Sequence, residues 1–229
     1  MLFIDGPSSP VHRHWLQSLC AEEPRCRWLE EDSVEPGIFG AMNQGFSMAQ
    51  DGDWLLFWGS DDWAASPDVL ASAISALEAA AHLPDLLICR GRYVGAASGK
   101  PGRPATFKPT ALLSAAAYRR ALLCGYSPPH QATLFGPGAR QRFANYTAGF
   151  RLSADLDYFL KISRSPGLRV QCLDLELVYM TEGGISAQQT QRRLMEVIHA
   201  YRSAFGWSWW LPFVLRYARR LFSLLEQKG

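Results

Sequence analysis

The chain has 229 residues and 25.5 kDa, with 48% apolar and 19% charged residues, which excludes a disordered or fibrous polypeptide and suffices for one large core. Its 23 basic and 21 acidic residues leave a formal net charge of +2, so the chain as a whole carries no nucleic-acid footprint and no nucleic-acid partner is expected. The charge is uneven: from residue 191 onward seven Lys/Arg face two Asp/Glu, leaving 16 against 19 before it, so a slightly acidic body precedes a basic, aromatic tail.

The five cysteines are Cys20, Cys26, Cys89, Cys124 and Cys172, an odd number without a Cys-x-x-Cys spacing. This argues against a disulfide framework or a zinc ribbon and for free thiols in a reducing compartment. No stretch approaches the ~20 apolar residues of a membrane-crossing helix. The first residues lack the basic and then apolar pattern of a signal peptide. A cytoplasmic protein is the expectation.

Apolar runs alternate with helical patterns, which predicts an α/β fold. Leu2-Phe3-Ile4 reads as a strand, ended by the turn residues Asp5-Gly6-Pro7. Residues 10–19 read as a helix and Arg27-Trp28-Leu29 as a short strand. Ile38, Met42, Phe46 and Ala49 recur at helical spacing and predict an amphipathic helix over residues 37–50. Residues 54–58 are a five-residue apolar run between Asp51-Gly52-Asp53 and Gly59-Ser60-Asp61-Asp62, the pattern of a central strand buried on both faces. Ser66-Pro67 predicts a helix to residue 81, with Ser66 as its cap. A strand over 85–94, a mobile Gly/Pro-rich loop over 95–104, a helix over 109–123, a turn over 126–129 and a strand over 130–135 follow. Residues 153–163 read as a helix and 169–180 as an extended segment, broken at Gly183-Gly184. Helices over 187–205 and 211–227 complete the chain.

Three clusters have the residue types of a reaction centre. Asp61-Asp62 follows an apolar run, and ligands of open α/β sheets bind at the C-terminal ends of strands. Hard cations such as Mg²⁺ take one or two carboxylates together with substrate phosphate oxygens. A helix cap or a solvated turn before Pro67 accounts for the same pair. Asp155 and Asp157 begin an apolar helix, where the macrodipole favours carboxylates and where a general base would also fit. His130-Gln131 opens a predicted strand, as a hydrogen-bonded structural histidine or as a contact to a phosphate or an acceptor hydroxyl.

A resemblance rests on these residues in order. Glu35-Pro36-Gly37-Ile38-Phe39-Gly40-Ala41-Met42-Asn43-Gln44-Gly45, followed by residues 52–62 ending in Gly59-Ser60-Asp61-Asp62, resembles family 2 glycosyltransferases of the GT-A fold. The nearest branch is the bacterial exopolysaccharide, colanic-acid-type one. Pro129-His130-Gln131 and Gly183-Gly184-Ile185-Ser186 match later landmarks, and the resemblance covers roughly residues 1–190. It implies a GT-A-like, Rossmann-like mixed sheet flanked by helices, with residues 191–229 as a helical tail. The residues at Leu2 to Ser9 are similar to a segment that follows the family's usual first strand and helix, so those two elements are expected to be missing. Gly40 stands where the family usually has Asp, and Gly59 where it has Asn.

The resemblance implies an inverting, metal-dependent glycosyltransferase of cell-surface polysaccharide synthesis. It would use a UDP- or GDP-sugar and a glycan or lipid-linked acceptor. Asp5 would contact the base, Asp61 the ribose or sugar, and Asn43 and His130 the donor. Asp62 would hold Mg²⁺ or Mn²⁺ on the diphosphate, and Asp155 would be the catalytic base. The missing first strand points to an alternative, a non-catalytic remnant that binds a partner or a membrane. A nucleotidyltransferase would want a Gly-rich basic loop near the N-terminus, which this sequence lacks. In the tail, Trp207, Trp209, Trp210 and Phe213 beside Arg216, Arg219 and Arg220 fit a helix lying on a membrane surface over residues 207–226, or one packed on the body.

Overall fold

The computed structural model describes residues 1–96, 99–107, 110–183 and 189–226, with side chains in the last helix described to residue 219. β1 (Leu2–Asp5) pairs in parallel with β2 (Arg27–Glu30) as a separate two-stranded sheet. Between them runs α1 (Pro10–Glu22), where Pro10 occupies the first turn and the Ser9 hydroxyl accepts the His12 amide at 3.3 Å. α2 (Ile38–Met48) follows and buries Gly45 and Phe46.

Among the described residues the main sheet has six strands. β3 (Asp62–Ala64), β8 (Arg169–Thr181), β4 (Leu86–Val94) and β5 (Pro101–Ala105) lie side by side. β6 (Ala111–Ser114) pairs with β8, and β7 (Thr133–Phe135) with β4. Among the described residues of this sheet only the β4–β8 contact is parallel, so the sheet is mixed. Helices cover both faces, as alternation along β4 requires. Leu86 and Ile88 enter one core with α4 (Ala115–Leu123), α6 (Ala154–Ile162) and α7 (Thr190–Phe205), while Leu87 and Cys89 enter a second beneath α3 (Val69–Glu78). The larger core is rich in aromatic rings: Phe135 and Phe159 stack at 5.9 Å, with Phe46, Tyr146 and Tyr158 around them. This is the expected mixed α/β architecture with a C-terminal helix.

Several local expectations are corrected. Residues 54–58 form no strand: only Leu55 bridges, to Phe135, through reciprocal bonds of 2.9 and 2.8 Å. The run is nevertheless packed on both sides, because Leu55 and Phe57 turn to the larger core and Trp54, Leu56 and Trp58 to the smaller. The expected loop over 95–104 contains β5, whose prolines are tolerated because it is an edge strand. The expected helix over 109–123 begins as β6, since the free edge of β8 outweighs helical propensity there, and Ser114 then caps α4. Ser66 is not a cap; α3 starts at Val69, after a turn in which the Ser66 carbonyl accepts the Val69 amide at 3.3 Å. His130–Ala132 is a 3-10 turn rather than strand, closed by the Thr133 hydroxyl on the Pro129 carbonyl at 2.8 Å. A short helix, α5 (Pro137–Arg142), was not anticipated. The Gly184-Ile185-Ser186 landmark and residues 187 and 227 lie outside the described residues.

α7 buries Val197, Ala200, Tyr201 and Ala204 in the larger core. After a 3-10 turn over Gly206–Trp209, the last helix, α8 (Trp210–Glu226), turns back across α4. Phe213 and Trp209 pack on the core, and Arg219 stacks on Tyr126 at 3.9 Å while donating to the Cys124 carbonyl at 2.9 Å. No helix among the described residues is long and apolar enough to cross a membrane.

Candidate active site

The carboxylate pair sits at the turn into β3. Asp62 Oδ2 accepts the Gly59 amide at 2.7 Å, and the Thr181 hydroxyl of β8 donates to the Asp61 carbonyl at 2.9 Å. Asp61 is exposed and Asp62 half-buried. Burial pushes the Asp62 carboxyl up to about 6; the Gly59 amide opposes that and the Asp61 charge adds to it. A Cβ on Gly59 would lie 2.9 Å from Asp61 Oδ1 and 3.3 Å from Asp62 Oδ2, so both carboxylates close over this glycine. A side chain there would require the Asp61 carboxylate to shift.

Burial and like charge both disfavour ionised Asp62, a balance that a hard cation would reverse. No group of three or more metal-ligating side chains occurs among the described residues. Mg²⁺ and Mn²⁺ bound through substrate phosphates need only one or two carboxylates, so Asp61 and Asp62 fit such an ion.

The turn is tied to the centre of the molecule by the residues before it. The Trp58 indole N–H donates to the Gln131 carbonyl at 2.8 Å, and Phe57 stacks on His130 at 5.9 Å. His130 is buried, with Nε2 2.6 Å from the Tyr146 hydroxyl. Burial lowers the His130 pKa, and the charge of Asp155 partly opposes this; burial raises Tyr146, with Tyr158 and Asp155 adding. Asp155 therefore acts on both rings.

Asp155 and Asp157 share the first turn of α6 but differ in use. Asp157 is buried, paired with Lys161 at 2.9 Å and hydrogen-bonded by Thr147, which also binds Lys161. The half-buried Asp155 carboxylate makes no hydrogen bond or ion pair among the described residues. The Asp157 carboxylate is engaged by the fold, and that of Asp155 is left without a side-chain partner among the described residues.

Two other sequence-predicted residues are engaged by the protein. Asp5 ends β1, buried, with the Ser8 hydroxyl on Oδ1 at 2.5 Å and Arg13 Nε 3.4 Å from Oδ2, in an ion pair that lacks hydrogen-bond alignment. Asn43 bridges rather than projects: its Oδ1 accepts the Tyr146 amide at 2.6 Å, and its Nδ2 donates to the Tyr146 carbonyl at 3.3 Å and to Glu35 at 3.2 Å. Asn43 thus fixes the backbone of the tyrosine that holds His130. Sequence reasoning missed Tyr146: Phe143, Tyr146 and Phe150 recur three and four apart, yet the segment forms no helix and gives no element on which to place the ring.

A cleft of about 200 Å³ opens between α2 and residues 147–151, lined by Glu35, Phe39, Asn43, Thr147, Phe150 and Arg151 among others. Gly40 forms part of its wall, and a Cβ there would fall 1.5 Å from the Glu35 carbonyl oxygen. The backbone of Glu35 therefore excludes an aspartate at this position.

No family model matches the chain. Two curated relatives, each described as an uncharacterized glycosyltransferase, come from the CDC 1551 / Oshkosh and ATCC 25618 / H37Rv strains of Mycobacterium tuberculosis. Each is 30% identical over 135 residues, 58% of this chain and 46% of the relative. The chain thus spans about half the length of the curated relatives it matches. Among solved structures, S. aureus TarS superposes with a TM-score of 0.58 at 15% identity, over 87% of this chain and 33% of TarS. The mannosyltransferase PcManGT from Pyrobaculum calidifontis, in complex with GDP-Man and Mn²⁺, gives 0.56 at 13% identity, over 89% of this chain and 54% of that one. At these identities the likeness is one of fold.

Proposed function

We propose that the chain is an inverting, metal-dependent glycosyltransferase that moves a sugar from a UDP- or GDP-sugar to a glycan or lipid-linked acceptor, as family 2 enzymes of the exopolysaccharide branch do. The observation that carries this reading is the division of labour on α6, where Asp157 is consumed by Lys161 and Thr147 while Asp155 stands unpaired beside the buried His130–Tyr146 pair. The names of the curated relatives and the GDP-Man and Mn²⁺ of a fold neighbour support it.

In this mechanism Asp155 takes the proton of the acceptor hydroxyl. The acceptor oxygen forms a bond to the anomeric carbon as that carbon's bond to the diphosphate breaks, and the electron pair leaves with the diphosphate. A single displacement inverts the configuration. Asp62, with Asp61, would hold Mg²⁺ or Mn²⁺, whose chemistry is to neutralise charge on the departing diphosphate. The Gly59 amide fixes the Asp62 carboxylate for that task. Buried His130, whose pKa burial lowers, and Tyr146 lie within electrostatic reach of Asp155. Arg13, paired with Asp5, tells against a direct contact from Asp5 to the base and favours a structural role for it.

We further propose that α8 rests on the cytoplasmic face of a membrane. Trp207, on the 3-10 turn before it, and Trp210 and Val214 of α8 are 87%, 51% and 53% exposed. Of the three arginines expected to flank it, Arg219 is already bound to Cys124 and Tyr126, and the Arg220 side chain lies outside the described residues.

Donor binding and transfer test the reading together. Wild type should bind UDP or GDP more tightly with Mn²⁺ than without it, and Asp62→Ala should lose that difference. Asp155→Asn should keep donor affinity and lose ~10²- to 10⁴-fold in transfer. Undiminished transfer by Asp155→Asn refutes the base assignment, and no transfer by wild type with any donor favours the non-catalytic alternative.

A further inference from the structure

A helix start leaves backbone N–H groups without partners, and α6 begins without a side-chain cap, since the hydroxyl of Ser153 at the cap position makes no capping bond. A carboxylate from another helix instead binds the cap residue and the two residues before it. The Glu196 carboxylate of α7 receives three successive amides: Arg151 on Oε1 at 3.1 Å, and Leu152 and Ser153 on Oε2 at 2.8 and 2.9 Å. Consecutive amides converging on one anion form a backbone nest. The Glu196 side chain is only 11% exposed, and its charge is balanced by Arg192, 3.2 Å from Oε1, and by the positive end of α6.

α7 is itself immobilised. It buries Val197, Ala200, Tyr201 and Ala204, and the Arg119 guanidinium of α4 donates to the Ala204 carbonyl at 2.8 Å. Glu196 is thus a strut from the core to the segment that leads into α6. On the far side of the same helical turn, Asp157 is pinned to Lys161 and Thr147. Asp155 lies between the two anchors, with its own carboxylate unpaired.

We infer that Glu196 is a positioning residue, whose triple amide clamp holds the entry to α6 at residues 151–153 and so places Asp155, two residues on, for catalysis. This rests on the proposed role of Asp155 as the base. Small displacements of a reacting group cost on the order of 10²-fold in rate, so a clamp two residues from Asp155 has leverage that an ordinary surface glutamate lacks. Sequence reading gave no sign of it, because Glu196 sits four residues after Arg192 and reads as one half of an exposed helical ion pair.

The test is a double-mutant cycle on the full chain, joined to hydrogen exchange. In Glu196→Gln one carboxylate oxygen becomes an amide donor that faces backbone N–H groups. Exchange at residues 151–153 should then quicken about tenfold or more. kcat should fall roughly 10- to 100-fold, with the donor KM within about twofold of wild type. Glu196→Asp, which keeps the charge at shorter reach, should recover part of the loss and guards against a Gln variant that folds poorly. Glu196→Gln with Asp155→Asn should be no slower than Asp155→Asn alone, because the clamp acts through that carboxylate. If the double variant loses the full additional factor, or if the donor KM rather than kcat bears the change, Glu196 is not positioning Asp155. A wild-type chain that transfers no sugar removes the functional reading and this role with it. Exchange still judges the clamp separately: faster exchange in Glu196→Gln upholds it, and unchanged exchange overturns it.

Discussion

Replacing Gly125 with alanine measures how firmly α8 is seated on the body. Gly125 has φ +80°, and a Cβ there would lie 2.5 Å from the Arg216 nitrogen, 2.8 Å from the Leu215 carbonyl carbon and 2.9 Å from Arg216 Cα. These are backbone atoms of α8, which no side-chain rotation can clear. Gly167 supplies the control: it has φ +70°, and nothing lies within 4 Å of its Cβ position. Gly167→Ala carries only the left-handed strain, about 1–2 kcal/mol. Gly125→Ala carries that strain and a clash worth about 1–3 kcal/mol more. For a chain of this size 1 kcal/mol moves Tm by about 2–4 °C, so Gly125→Ala should melt about 2–12 °C below Gly167→Ala. Parallel thermal and urea unfolding of the two variants reads the difference directly. Equal destabilisation would refute the close seating of α8 on the turn after α4.

Asp157→Asn should cost stability, about 1–3 kcal/mol by urea unfolding, because it breaks a buried carboxylate's bonds to Lys161 and Thr147. Unlike Asp155→Asn, it should leave measurable transfer in the folded fraction. Burial holds the folded pKa of His130 below its ordinary 6.5, so the stability of the neutral ring is present above pH 6.5 and is lost as pH falls through the folded value. Wild type should therefore weaken below pH 6.5 by up to about 1.4 kcal/mol per pH unit from this group. The urea profile of His130→Gln should be flatter over the same range, and identical slopes would contradict the buried neutral histidine. The chain should float with anionic vesicles at low salt, and Trp207→Ser with Trp210→Ser should not; equal flotation of the two proteins would show that the exposed tryptophans do not bind lipid.

Sequence periodicity located β1, α1, β2, α2, β4 and α6 within a few residues, because each is defined by its own apolar pattern and turn residues. It failed where a neighbour decides the outcome. Residues 54–58 are packed on both sides, as a run of Trp, Leu and Phe requires, yet lack a ladder. Packing is written in side-chain type, whereas pairing depends on whether an edge is free. β6 shows the converse: Ala111–Ser114 has helical composition and became a strand because the edge of β8 was there to receive it. The site divides in the same way. Asp61, Asp62 and Asp155 were legible as carboxylates at element boundaries. Which of Asp155 and Asp157 is spare depends on Lys161 and Thr147, and the clamp on α6 depends on Glu196, more than 40 residues beyond it.

β8 is made last among the strands and stands in the interior of the sheet, between β4 on one side and β3 and β6 on the other. Among the described strands β3 and β6 have no other partner, so both must wait for residues 169–181 to leave the ribosome. Until then, of the ladders in this sheet among the described residues, the nascent chain can assemble only the β4 hairpin with β5 and the pairing of β4 with β7. The carboxylate turn ahead of β3 is likewise unsupported until Thr181 arrives to bind the Asp61 carbonyl. Folding of this sheet is thus a late, long-range event with two hungry edges exposed during synthesis, the circumstance in which chains aggregate or recruit chaperones. Release of the chain before residue 169 would leave the Asp61–Asp62 turn without its Thr181 contact and the sheet without its central strand.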